Sequence, residues 1–133
     1  MAKKIKRFHV LEVGGEEYKL HIDARRIAEL EKRLGFSPSM LIFNVGKAIK
    51  SKRPTQAEQI EAMAYMPTME QYALVLHAAL QSFEHGKTLD DAYDILTEYL
   101  QEKTTNELFV ELQKILNVSG LMGETKEEVK EEE

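Results

Sequence analysis

Met66-Pro-Thr-Met-Glu-Gln-Tyr-Ala-Leu-Val-Leu-His-Ala-Ala-Leu-Gln-Ser-Phe-Glu-His-Gly86 is the stretch on which the fold turns. Thr68, followed three residues later by Gln71, is the reciprocal capping pattern that opens a helix. From Tyr72 to Phe83 apolar residues fall on nearly every side, among them Leu74, Val75, Leu76, Ala78, Ala79 and Leu80. A helix apolar all round cannot lie on a surface, so the pattern predicts a buried, central helix. Gly86 is its expected C-cap. The rest of the chain must supply what surrounds it.

Toward the C-terminus, Thr88 opens another helix, with Asp90 and Asp91 in the first turn, where acids complement the helix dipole. Leu89, Ala92, Tyr93, Leu96, Tyr99 and Leu100 give it one wide apolar stripe. Thr104 and Glu107 repeat the capping pattern. Leu108, Phe109, Leu112, Ile115 and Leu116 line the last helix, and Gly120 ends it. The final residues, Glu124 to Glu133, carry six glutamates and two lysines without apolar pattern. Residues 123–133 are therefore expected to form a disordered acidic tail.

Toward the N-terminus, Phe8 to Val13 alternates loosely, and Tyr18, Leu20 and Ile22 alternate cleanly around Gly14-Gly15. Two alternating runs about a Gly-Gly turn predict a β-hairpin over about residues 5–22. A lone hairpin is marginal, so it should pack on helices. Asp23 is a candidate N-cap for a helix bearing Ile27, Leu30 and Leu34, which Gly35 stops. Glu29 lies four residues before Arg33, an expected surface pair worth ~0.3 kcal/mol. Ser37-Pro38 is a second helix start; Leu41, Ile42, Val45, Ala48 and Ile49 follow as its apolar face. Pro54 should break that helix. Thr55 to Tyr65 reads as a short further helix with Ile60, Met63 and Ala64 on one side. The predicted fold is mainly α: an N-terminal hairpin followed by a bundle of about five helices, one domain over residues 1–122.

A chain of 133 residues is the size of one domain. With 43% hydrophobic and 31% charged residues it can bury a core without staples. The absence of cysteine excludes disulfides, thiolate metal sites and cysteine nucleophiles, and fits a reducing cytosol. No apolar run approaches the roughly 20 residues needed to span a bilayer, so no membrane is expected. Lys3, Lys4, Lys6 and Arg7 have the charge of a signal peptide, but no apolar stretch follows. The net charge of −5 makes a poor match for a phosphate backbone, and no nucleic acid is expected as partner.

Residues that could carry chemistry do not assemble. None of His9, His21, His77 and His85 has a neighbour at i+4 to complete a zinc pair. His77 falls inside the predicted buried helix, where a hydrogen-bonded core histidine is the expectation. Asp90-Asp91 suits a helix start better than a metal, and Gly14-Gly15 is too short to cradle a phosphate. Nothing assembles nucleophile, base and orienter, so neither an enzyme nor a cofactor is expected. The methionines are more informative, because methionine repacks easily on adaptable binding surfaces. Met40, Phe43, Met63, Tyr65, Met66 and Met69 are the candidate partner-binding residues.

Two stretches carry a resemblance. Tyr18-Lys-Leu-His-Ile-Asp-Ala-Arg-Arg-Ile-Ala-Glu-Leu-Glu-Lys-Arg-Leu-Gly35, and Met66 to Gly86 continuing through Leu89-Asp-Asp-Ala-Tyr-Asp, resemble the tail assembly chaperones of long-tailed phages and prophages of Gram-positive bacteria. The resemblance spans roughly residues 17–120, and its motifs are structural rather than catalytic. It implies a non-enzymatic protein of the host cytoplasm, not retained in the mature virion. It implies the tape measure protein as partner, a long helical chain prone to aggregate before the tail tube forms around it. Tail tube subunits are implied as a second partner, self-association is left open, and a longer frameshifted form would begin near the acidic tail. The alternative is a helical adaptor or a nucleic-acid-binding regulator, motivated by Lys47, Lys50, Lys52 and Arg53 together with the basic N-terminus. A head–tail connector is a third reading.

Overall fold

A computed structural model describes residues 5–48 and 52–122. The acidic tail, Lys3, Lys4, Ile49 and Lys50 lie outside the described residues, as does the side chain of Ala48. Two strands, β1 (His9–Val13) and β2 (Glu16–Leu20), precede six helices among the described residues. These are α1 (Ala24–Leu34), α2 (Met40–Ala48), α3 (Gln56–Ala64), α4 (Met69–Leu80), α5 (Leu89–Glu102) and α6 (Thr105–Val118). The count is one above the expected five or so, and the short helix expected over Thr55 to Tyr65 is present as α3.

The strands are antiparallel, with Val13 opposite Glu16, so Gly14 and Gly15 form a two-residue turn. Their φ values of 57° and 84° are both positive, as the tight hairpin turn requires and as glycine alone adopts without strain. Leu11, Val13, Tyr18 and Leu20 are buried beneath the hairpin, while Val10, Glu12, Glu17 and Lys19 face outward. That two-residue alternation is what seats the hairpin on α4, α5 and α6.

The central helix is α4, which packs against α1, α5, α6 and β2. Seven of its twelve residues are buried, from Tyr72 to Leu80. Fully burying a leucine or valine stabilises by roughly 1.5–3 kcal/mol, so α4 concentrates the core energy. Local sequence starts the helices. Thr55 with Glu58, Thr68 with Gln71, Thr88 with Asp91 and Thr104 with Glu107 are all reciprocal capping boxes. Asp23 caps α1 by accepting from the Arg26 N–H at 2.9 Å.

The end of α4 corrects the expectation drawn from Gly86. The helix stops at Leu80, six residues earlier, and Gly86 does not adopt a positive φ. Tertiary bonds end the helix. The His21 N–H donates to the Ala79 carbonyl at 3.2 Å. The buried Gln81 side chain donates from Nε2 to the His77 carbonyl at 3.2 Å and the Lys87 carbonyl at 2.8 Å. Carbonyls that a continuing helix would satisfy are thus met by the strand exit and by a side chain.

Two further expectations change in detail. Ser37 Oγ meets Ser39 Oγ at 3.0 Å, and no backbone N–H of α2 donates to it among the described residues. The helix opens instead through a tight turn, with the Met40 and Leu41 N–H groups donating to the Ser37 and Pro38 carbonyls. Glu29 pairs with Arg26 at 3.1 Å rather than with Arg33. Arg26 lies one turn back on the same face, which satisfies the carboxylate and leaves Arg33 without a carboxylate partner among the described residues.

Candidate interaction surface

Helices α2 and α3 pack chiefly on each other rather than on α4. Leu41 and Ile42 of α2 are buried as part of the main core, and Ala62 of α3 is buried as well. The opposite faces keep their large apolar side chains in water. Met63 is 72% exposed, Ile60 61%, Tyr65 48% and Phe43 46%, whereas scattered single apolar residues are the ordinary surface pattern. Ile60 and Met63 are three residues apart and share one face of α3.

The six predicted contact residues divide. Phe43, Met63, Tyr65 and Met69 are exposed, while Met40 and Met66 are half-buried. Met63, Met66 and Met69 come together along one groove of about 230 Å³, which Pro67, Tyr72 and the start of α6 at Thr105 and Asn106 complete. Met40, Phe43 and Tyr65 do not line it. The spacing of Ile60 predicts an ordinary apolar face, yet it is the second most exposed large apolar side chain among the described residues. Its weakly amphipathic helix gave no signal separating core from surface.

Tyr72 closes the groove from below. Its residue is 4% exposed and its hydroxyl has no hydrogen-bond partner among the described residues. Burial alone pushes this phenol up to about 12, so it stays neutral and apolar in character at physiological pH.

The polar clusters elsewhere hold elements together. Glu111 on α6 accepts from the Tyr99 hydroxyl at 3.2 Å and pairs with His9 Nε2 at 2.5 Å, fastening α5 and β1 to α6. Burial first, and the Glu111 charge second, raise the Tyr99 phenol far above its ordinary range. Ser119 Oγ accepts from the Ile22 N–H at 2.9 Å and donates to the Ile115 carbonyl at 2.8 Å. Ser82 Oγ donates to the His21 carbonyl at 2.8 Å. Both hydroxyls are engaged with backbone. His21 Nδ1 donates to the Arg7 carbonyl at 2.8 Å, and His85 lies exposed in the turn beyond α4. His77 is half-buried, bonded to the Lys87 backbone, and held below the usual histidine range by burial and then by Arg33.

Among the described residues no group of three or more histidine, aspartate or glutamate side chains converges to hold a metal. No helix among them is long and apolar enough to cross a membrane. Lys47, Lys52 and Arg53 lie exposed around the α2–α3 connection. Comparison with protein-family models, curated proteins and solved structures gives no match to this chain.

Proposed function

We propose that this chain is a phage tail assembly chaperone that works by binding, not by catalysis. Its partner is the tape measure protein, whose apolar helix it shields in the host cytoplasm until tail tube subunits polymerise around it. The resemblance of the segments Tyr18 to Gly35 and Met66 to Gly86 supports this reading. The structural observation that carries it is the exposure of the large apolar side chains Phe43, Ile60, Met63 and Tyr65 on and beside α2 and α3, together with the groove that Met63, Met66 and Met69 line. Such a surface suits a partner's apolar helix, and methionine accommodates many side-chain shapes along a long repetitive partner.

Co-expression with a phage tape measure protein tests the reading. The two should co-purify, and Met63→Glu or Ile60→Glu should abolish the complex. Both positions are so exposed that folding should change by no more than about 0.5 kcal/mol. A tape measure protein equally soluble with and without this chain would sink the proposal.

A further inference from the structure

A second groove, sharing no lining residue with the first, lies between α1 and α4. Its volume is about 410 Å³, within the range of roughly 300–1,000 Å³ typical of binding clefts. It exists because α1 is thinly seated. Leu30 is the only fully buried residue of α1, Ile27 and Leu34 are half-buried, and α4 faces the groove with Leu74, His77 and the small Ala78. Leu30, Leu74 and Ala78 form an apolar floor.

The rim is cationic. Arg26, Lys32 and Arg33 line it, against one carboxylate, Glu29, which Arg26 already engages. Lys32 and Arg33 have no carboxylate partner among the described residues. His77, on the α4 wall, is held below the usual histidine range by burial and then by Arg33, so near neutral pH the positive charge of the rim comes from the arginines and the lysine. A positive groove on a chain of net charge −5 is a local exception to the overall field.

We propose that the α1–α4 groove is a docking site for an acidic amphipathic helix of a partner protein, distinct from the apolar surface of α2 and α3. The two walls are helices, so a third helix can lay its apolar ridge along the floor. Glutamates or aspartates flanking that ridge meet Arg33 and Lys32. A phosphate backbone would use the cations and leave the floor in water; a purely apolar helix would bury the floor and leave the cations unmatched. The floor supplies most of the affinity, and the rim supplies rate and selectivity. The inference stands on this groove alone, whatever occupies the methionine surface.

The test uses the full chain and a synthetic helical peptide about 18 residues long, apolar at every third or fourth position and flanked by glutamates. Its control replaces the glutamates by glutamine. Fluorescence anisotropy should show binding of the acidic peptide, weaker by about tenfold for the control or for Arg33→Glu. Arg33 is exposed, so that variant should keep its circular dichroism spectrum and Tm. Amide shifts on peptide binding should map to Leu30, Leu74 and Ala78. Equal binding of the control, unchanged binding by Arg33→Glu, or shifts confined to α2 and α3 would each overturn the proposal. Duplex DNA binding this groove in place of the peptide would overturn it too. So would binding seen only after removal of residues 123–133, because the occupant would then be the chain's own acidic tail.

Discussion

Glu111 shows how much a single residue can hold. Its carboxylate meets His9 from β1 and Tyr99 from α5, and the Tyr99 ring is 2% exposed. Glu111→Ala strands both partners, and losing one partner of a buried polar pair costs about 1–3 kcal/mol. Urea unfolding should show a loss in that range, with Glu111→Gln milder because it still accepts from Tyr99. Tyr72 gives the opposite sign. Its hydroxyl is buried and unmatched, so Tyr72→Phe should leave stability unchanged or raise it by about 1 kcal/mol. A loss greater than that would mean the hydroxyl has a partner. His77 supplies a pH dependence. Its folded pKa is lowered, so the unfolded chain binds the proton more readily. Its contribution to stability is complete above the unfolded value of about 6.5 and declines as pH falls through that value toward the lower folded one. Tm measured from pH 7.5 to 5.5 should fall less steeply in His77→Gln than in the parent chain; equal slopes would remove His77 as the cause.

Elements were legible wherever the decisive interaction is local. A capping box links residues three apart, so Thr68 with Gln71 and Thr104 with Glu107 announce helix starts in the sequence itself, and the structure has both. The Gly-Gly hairpin and the Gly35 stop of α1 are local in the same sense, Gly35 taking a φ of 85°. The end of α4 was not legible, because the bond that ends it comes from His21, far away in sequence. Nor was the independence of α3. Its capping box at Thr55 and Glu58 was there to be read, but nothing in its spacing told that Ile60 and Met63 face solvent. The α1–α4 groove was invisible for a like reason: its floor joins Leu30 to Leu74 and Ala78, and its free cation depends on Glu29 choosing Arg26 over Arg33. This division predicts how the elements open. Helices α2 and α3 rest mainly on each other, so their amides should exchange through a local opening well below the global unfolding free energy. Amides of α4 should exchange only through global unfolding. Protection of α2 and α3 equal to that of α4 would show that the pair opens only with the main core.

At the scale of the molecule, stability and partner binding draw on different residues, and the two should separate experimentally. The folded state is held around α4, where Leu80 is wholly inaccessible and Ala79 and Ala73 permit close approach of the neighbouring helices. Leu80→Ala leaves a cavity in the core around α4, and a cost of about 2–5 kcal/mol is expected. Set against a total stability of about 5–15 kcal/mol, that is enough to weaken the fold visibly in urea. Ile60→Ala removes a larger-than-usual apolar side chain from water, not from a core, so its effect on unfolding should stay within about 0.5 kcal/mol. The same substitution deletes apolar area from the surface proposed to hold a partner's helix, so co-purification should weaken with Ile60→Ala while the Tm holds. Leu80→Ala at a temperature where it remains folded should do the reverse. The pair of variants therefore tests the division of labour directly: if Ile60→Ala destabilises the chain as much as Leu80→Ala does, the exposed face of α3 belongs to the core of a larger assembly of this chain, and the binding role assigned to it fails.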